Sequence, residues 1–198
     1  ESPQVSLPKL ESPGDAAAQN AVLALECVRA LGVYSEDEFS AAAERGLSRC
    51  RLPGRIEVLE ADPRVVVDGA HTAQSARLLA ESLREIAPGG FELLISVSED
   101  KQLESLLRPL LAEADRVWVT KADSTRSLPE DQLAKQVEAL LSDLGRSVPI
   151  DTVPAPRVAA TRARSELAEG KMLCATGSMY LAGVARDVLL PRSASVDG

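Results

Sequence analysis

A few short stretches of this 198-residue chain carry side chains able to do chemistry. The clearest is Val65-Val66-Val67-Asp68-Gly69-Ala70-His71-Thr72. There an apolar run delivers a carboxylate, a glycine and the chain's single histidine to the start of a helix-like pattern. Glycine at 69 lets the backbone turn tightly. A helix N-terminus offers free N–H groups and positive potential, so an anionic ligand suits it. In that setting Asp68 could bond ribose hydroxyls, and His71 could hold a carboxylate or a phosphate. The competing reading is local: Thr72 caps the helix and Asp68 stabilises its N-terminus. The residues alone leave both open.

Three other places compare with it. Arg55 follows Pro53-Gly54, where its planar fork could neutralise phosphate oxygens or stay solvated at a strand start. Ser178, in Ala175-Thr176-Gly177-Ser178-Met179, is either an N-cap or a hydroxyl facing the same cleft as His71. Asp100-Lys101 and the pair Asp123 and Arg126 stand at further strand ends, where solvated turns are the simpler reading.

These groups need a scaffold, and the pattern around them specifies one. Short apolar runs begin near Arg55, Arg64, Phe91, Asp115, Val148 and Lys171, and helix-like patterns follow most of them. The first pattern after Asp68 puts Ala76, Leu79, Ala80, Leu83 and Ile86 on one face. Later helices are expected over 101–114, 128–145 (with Pro129 in its first turn), 156–170 (ending at Gly170) and 178–190. This alternation predicts an α/β fold: a Rossmann-like, mostly parallel sheet with helices on both faces. Ligands in such sheets sit at the carboxyl ends of the strands, which is where Asp68, His71, Asp100, Lys101, Asp123 and Ser178 fall. Residues 1–15 read as an extended Pro- and Ser-rich arm, and 191–198 as a loose tail. Between them come two helices, 16–32 ended by Gly32, and a second capped by Ser35 with acidic residues in its first turn. The Pro-Gly turn at 53–54 reads as a boundary.

Composition removes several function classes. Aromatics are 3%, so the core must come from Leu, Val, Ile and Ala. A formal net charge of -8 argues against a general nucleic-acid binder. No apolar run is long enough to span a membrane. Three cysteines without a CxxC, and one histidine, argue against a zinc site or a disulfide framework and point to a reducing cytosol. No metal site is expected in this chain. There is no GxGxxG after a strand, no GxSxG elbow and no GxxxxGK[ST]. The nearest approach to the last, Glu169-Gly170-Lys171-Met172-Leu173, lacks the first glycine and the Ser or Thr after Lys171.

Leu52-Pro53-Gly54-Arg55-Ile56-Glu57-Val58, the stretch 65–76, Asp115–Leu128 and Ala175–Arg186 occur in order and at suitable spacing. Together they resemble the carboxyl-terminal part of folylpolyglutamate synthase and dihydrofolate synthase, of the Mur ligase superfamily. The Asp-Gly-Ala-His and Gly-Ser-Met-Tyr segments resemble the folate branch more than the peptidoglycan branch. The resemblance implies an ATP-dependent amide ligase. ATP converts a folate or dihydropteroate carboxylate to an acyl phosphate, and the amino group of L-glutamate displaces phosphate. It implies Arg55 on ATP phosphates and Asp68 on the ribose, with His71 and Ser178 at the glutamate and acyl-transfer end. It assigns residues 1–52 to the tail of a central ATP-binding domain, 53–190 to the glutamate-ligase domain and 191–198 to a tail. The P-loop and most Mg2+ contacts would belong to the central domain, a partner in cis, so this piece alone is expected to be inactive. The family's His-Gln pair is Ala16-Ala17 here, within Gly14–Ala21, although Asn20 is present. That departure keeps open a stand-alone, non-catalytic binding domain of the same fold. A peptidoglycan-branch ligase fragment is the third reading.

Overall fold

The computed structural model describes residues 15–59, 64–99, 102–123 and 125–190. The amino-terminal arm, apart from Asp15, and the tail from 191 lie outside the described residues, as do Asp100 and Lys101. The chain divides between Leu52 and Pro53 into two compact units.

The first unit holds α1 (Asp15–Ala30) and α2 (Glu36–Leu47). Gly32 follows α1 with φ 62°, a left-handed conformation that glycine adopts without strain. Ser35 starts α2 through a capping box: its hydroxyl accepts from the Glu38 N–H, and the Glu38 carboxylate accepts from the Ser35 N–H at 3.0 Å. Leu25, Phe39 and Ala43 form a small core, with the Arg29 guanidinium 4.7 Å from the centre of the Phe39 ring. Val22, Leu23, Leu31, Val33 and Tyr34 remain exposed.

The second unit runs β1 (Glu57–Leu59), β2 (Val65–Val67), α3 (Ala73–Ile86), β3 (Phe91–Ile95), α4 (Leu103–Leu111), β4 (Arg116–Val119), α5 (Glu130–Asp143), β5 (Ile150–Thr152), α6 (Pro156–Ser165), β6 (Met172–Thr176) and α7 (Met179–Leu189). The six strands form one sheet in the order β1-β2-β6-β3-β4-β5. All neighbours are parallel except β1, which pairs antiparallel with β2. The last strand in sequence is thus inserted at the centre, between β2 and β3.

Strand alternation divides the core in two. Val66, Leu93, Ile95, Val117, Val119 and Cys174 face α3, α4 and α5. Val65, Val67, Leu94, Trp118, Leu173 and Ala175 face α6 and α7. Apolar contact on both faces explains why β2 is a continuous valine run. It also makes this the α/β fold with helices on both faces that the pattern specified.

Several helices are shorter than the sequence reading, the one expected over 101–114 running only from Leu103 to Leu111, and two boundaries differ for a visible reason. Helix α6 ends at Ser165 rather than Gly170, and Gly170 sits in a separate turn, at φ 75°, in which the Lys171 N–H donates to the Ala168 carbonyl. Pro129 occupies the N-cap of α5, with ψ 137°, just outside the first turn.

Near the amino ends of the strands a charge network locks β3, β4, β5 and α6 together. Arg116 donates to Asp151 at 2.8 Å and Glu166 at 3.0 Å, and its guanidinium lies 4.0 Å from the centre of the Trp118 ring. Arg162 pairs with Glu166 at 2.9 Å. Buried Glu92 accepts from the Trp118 indole N–H at 3.2 Å and from the Ala168 N–H at 3.1 Å.

Candidate functional site

The connections from β2 and β3 lead to α3 and α4 on one face of the sheet, whereas β6 leads to α7 on the other. The connections diverge there while the strands stay paired, and a crevice opens at the carboxyl ends of the strands, where open α/β sheets bind ligands. A cleft of about 530 Å3 occupies this point, lined among others by His71 from the β2–α3 connection, Glu99 after β3, Arg126 and Ser178.

Asp68 follows β2 directly and is 6% exposed. Its Oδ2 accepts from the Ile56 N–H at 2.8 Å and its Oδ1 from the Ala70 N–H at 2.6 Å. Burial pushes its carboxyl above the ordinary value, against the pull of those two N–H groups, Arg55 and His71. Asp68 therefore does local structural work. It holds Ile56 at φ 44°, a conformation a β-branched residue rarely adopts, and it shapes the turn into α3.

The tight turn was the reason expected for Gly69, and the structure supplies a different one. Its φ is not left-handed, but a Cβ there would fall 1.8 Å from Met179 Sδ and 2.8 Å from Arg55 Nη1. Glycine is needed for close approach of two side chains. Arg55 itself is exposed and its Nη1 donates to the Met179 sulfur at 3.1 Å. Glu57 anchors its loop by accepting from the Gly54 N–H at 2.9 Å and pairing with Arg186 of α7.

His71 is half-buried. Its Nδ1 lies 2.8 Å from the Gly69 carbonyl, and since a carbonyl only accepts, Nδ1 carries the proton. In the neutral ring this leaves the Nε2 lone pair free. Thr72 caps α3 in a capping box with Ser75, so the local reading of Thr72 holds. Ser178 combines both of its alternatives. It caps α7 by accepting from the Leu181 N–H at 3.1 Å, and it lines the cleft with its O–H proton still to donate. The first-turn N–H groups of Met179 and Tyr180 have no partner within the helix.

Below the cleft, the buried Ser96 hydroxyl donates to Ser127 at 3.2 Å and accepts from the Ala122 N–H at 3.0 Å. Thr176, at the end of β6, is fully buried and its hydroxyl has no partner among the described residues. Asp123 lies in an Asx turn. Its Oδ1 accepts from the Thr125 N–H and hydroxyl at 2.8 Å and the Arg126 N–H at 3.0 Å, which holds its carboxyl below the ordinary range.

The cleft thus gathers His71, Ser178 and Arg126, while Arg55 and Asp68 stand beside it on the β1 side. Glu99, Met179 and Tyr180 are lining residues that the sequence reading did not single out. Glu99 has a sequence signal, its place just past an apolar strand. Among the described residues no cluster of three or more His, Cys, Asp or Glu could hold a metal, and no helix is long and apolar enough to cross a membrane.

Fold and cleft define a doubly wound α/β domain with a cleft at the point where the strand order reverses. Residues 54–179 match the family model described as Mur ligase, glutamate ligase domain, and the chain belongs to that family. It is 29% identical over 173 residues to a probable bifunctional folylpolyglutamate synthase/dihydropteroate synthase of Halobacterium salinarum, covering 87% of this chain and 20% of that protein. It is 35% identical over 124 residues to the dihydrofolate synthase/folylpolyglutamate synthase of Mycobacterium tuberculosis, covering 61% of this chain and 26% of the relative. The crystallised Mycobacterium tuberculosis folylpolyglutamate synthase complexed with ADP superposes with a TM-score of 0.76 at 29% identity, over 93% of this chain and 42% of that one. The chain therefore spans about a fifth to a quarter of the two relatives compared by sequence.

Proposed function

We propose that this chain is the carboxyl-terminal part of an ATP-dependent ligase that joins L-glutamate to a folate or dihydropteroate carboxylate. The observation that carries the reading is the cleft. A histidine with a free Nε2 and the start of α7 face one space at the strand ends, in a chain related to folate-glutamate ligases. Residues 1–52 are then the tail of a central ATP-binding domain, and 53–190 the glutamate-ligase domain.

Each residue has a role its surroundings support. Exposed Arg55 reaches nucleotide phosphates with its guanidinium. Asp68 keeps further lone pairs on its two oxygens for a ribose hydroxyl while holding the Arg55 loop in place. When bound, ATP supplies the phosphoryl group that activates the folate or dihydropteroate carboxylate. The N–H groups at the start of α7 and the Ser178 hydroxyl hold a carboxylate or the developing oxyanion. His71 Nε2 receives a proton from the incoming ammonium, because only the free amine is nucleophilic. On this reading the P-loop and most Mg2+ contacts belong to the central domain. The chain by itself is then inactive.

The test is ADP release from ATP in the presence of a folate and L-glutamate. The purified chain is expected to be silent. Fused behind the amino-terminal and central portions of the mycobacterial relative, it is expected to support release that requires both folate and glutamate. Turnover by the isolated chain, or a silent but folded fusion, would count against the proposal.

A further inference from the structure

We infer that Arg186 of α7 and Glu57 act as a positioning pair for the nucleotide end of the ligase, fixing the loop that presents Arg55 to phosphate oxygens. This rests on the proposed reading of Arg55 as a contact to ATP.

The loop over 53–57 is held from two sides. From the β2 side, Asp68 accepts from the Ile56 N–H at 2.8 Å, and the Gly69 N–H donates to the Gly54 carbonyl at 2.8 Å. From the other side comes α7, through Met179, Ala182 and Arg186, which share one helix face at positions i, i+3 and i+7. The Met179 sulfur accepts from Arg55 Nη1 at 3.1 Å. Gly54 lies directly over Ala182: a Cβ added to it would fall 3.6 Å from Ala182 Cβ and 3.7 Å from Met179 Cε. Arg186 closes the contact. Its Nε–H is shared between the two Glu57 oxygens at 2.9 and 3.0 Å, while Glu57 Oε2 also accepts from the Gly54 N–H at 2.9 Å. One carboxylate thus joins the loop's own backbone to a helix residue 129 positions further along the chain.

The loop turns through Gly54 at φ 66° and Ile56 at φ 44°. A β-branched residue keeps such a conformation only where its surroundings enforce it. Arg55, between them, is exposed and long, so a fixed backbone lowers the entropy it loses on reaching a phosphate. Without Arg186, the Glu57 carboxylate is free to turn to solvent and leave the Gly54 N–H unpaired. The loop then relaxes about Ile56 and carries Arg55 away from its target. At the other end of α7, Ser178 and Tyr180 line the cleft. A general loosening of α7 disturbs both ends of the helix, whereas loss of the Arg186–Glu57 pair acts on the Arg55 end alone.

The experiment measures folate- and glutamate-dependent ADP release by the complete 198-residue chain joined behind the relative's amino-terminal and central portions. Arg186→Met, which keeps the aliphatic stem, is expected to raise KM for ATP about five-fold or more and to leave KM for L-glutamate within about two-fold. Arg186→Lys, which still donates to Glu57, is expected to restore most of the loss. Arg55→Ala is expected to raise KM for ATP by itself. Added to it, Arg186→Met is expected to contribute less than about two-fold, because the pair acts only through Arg55. Glu57→Gln keeps an acceptor for the Gly54 N–H but not the ion pair. It is expected to follow Arg186→Met, and it carries the test if that variant does not fold. A folded Arg186→Met or Glu57→Gln with unchanged KM for ATP overturns the positioning pair and leaves the Arg55 reading standing. So does an effect that persists in full without Arg55. If Arg55→Ala leaves KM for ATP unchanged, or the folded fusion is silent, the nucleotide reading falls, and the pair with it.

Discussion

At the amino ends of β3 and β4, Arg116 commits its guanidinium to two carboxylates and an indole face, and Glu92 accepts with both oxygens. At the carboxyl ends of β2, β3, β4 and β6 the same residue types stand open. His71 keeps a free nitrogen, Glu99 and Arg126 do not pair, and Thr176 buries a hydroxyl without a partner among the described residues. Saturated charges fix a structure and leave nothing for a ligand. Open ones contribute little to the fold and keep their bonding capacity for something that arrives later. One sheet thus separates stability from chemistry along its strands.

The largest expected effect lies at the saturated end. Trp118 is fully buried against Arg116 and Glu92, so Trp118→Ala should cost about 3–5 kcal/mol in urea denaturation. A cost below about 1 kcal/mol would dissolve the contrast. Asp68 comes next, as a buried group beside the cleft with a structural duty. Asparagine presents a single acceptor oxygen, so in Asp68→Asn either the Ile56 or the Ala70 N–H loses its partner. About 1–3 kcal/mol should be lost in the same assay. Thr176→Val should be neutral or stabilising by up to about 1 kcal/mol, because it removes an unpartnered buried hydroxyl. Clear destabilisation would mean that the hydroxyl is bonded, and the cleft floor would then resemble the saturated end.

The smallest effect is one of sign. Burial raises the Asp68 carboxyl, so its contribution is present below the ordinary carboxylate value and lost as pH rises through its raised folded value. Hydrogen bonds from Arg162 and then Arg116 lower the Glu166 carboxyl. Its contribution is present above the ordinary value and lost as pH falls through its lowered folded value. Carboxyl carbon NMR titrations should place Asp68 above and Glu166 below their ordinary ranges. Two titrations on the same side would break the comparison.

Much of this contrast follows from where its signals lie along the chain. The valine run into Asp68, the Ser35, Thr72 and Ser178 caps and the α/β alternation were legible because each depends on a few neighbouring residues. The need for glycine at 69 was not, since it depends on Met179 from the last helix lying against Arg55, 124 positions away in sequence from that methionine. Glu99 was missed for a similar reason: its partner backbone at Arg126 comes from the loop after another strand. The Glu92 bond to Ala168 spans 76 positions, so the saturated end was invisible to local pattern. Asp68 shows the limit from the other side. Its position was clear in sequence, but its bond to Ile56 required the β1–β2 pairing.

The most direct test of this division measures stability and turnover together, in the fusion with the relative's amino-terminal and central portions. His71→Ala should leave the melting transition of this domain nearly unchanged, within about 0.5 kcal/mol, and abolish folate- and glutamate-dependent ADP release. Arg116→Ala should lower the transition markedly and leave turnover intact at temperatures where the protein stays folded. Full turnover in His71→Ala, or loss of turnover in folded Arg116→Ala, would contradict the assignment of chemistry to the carboxyl end of the sheet.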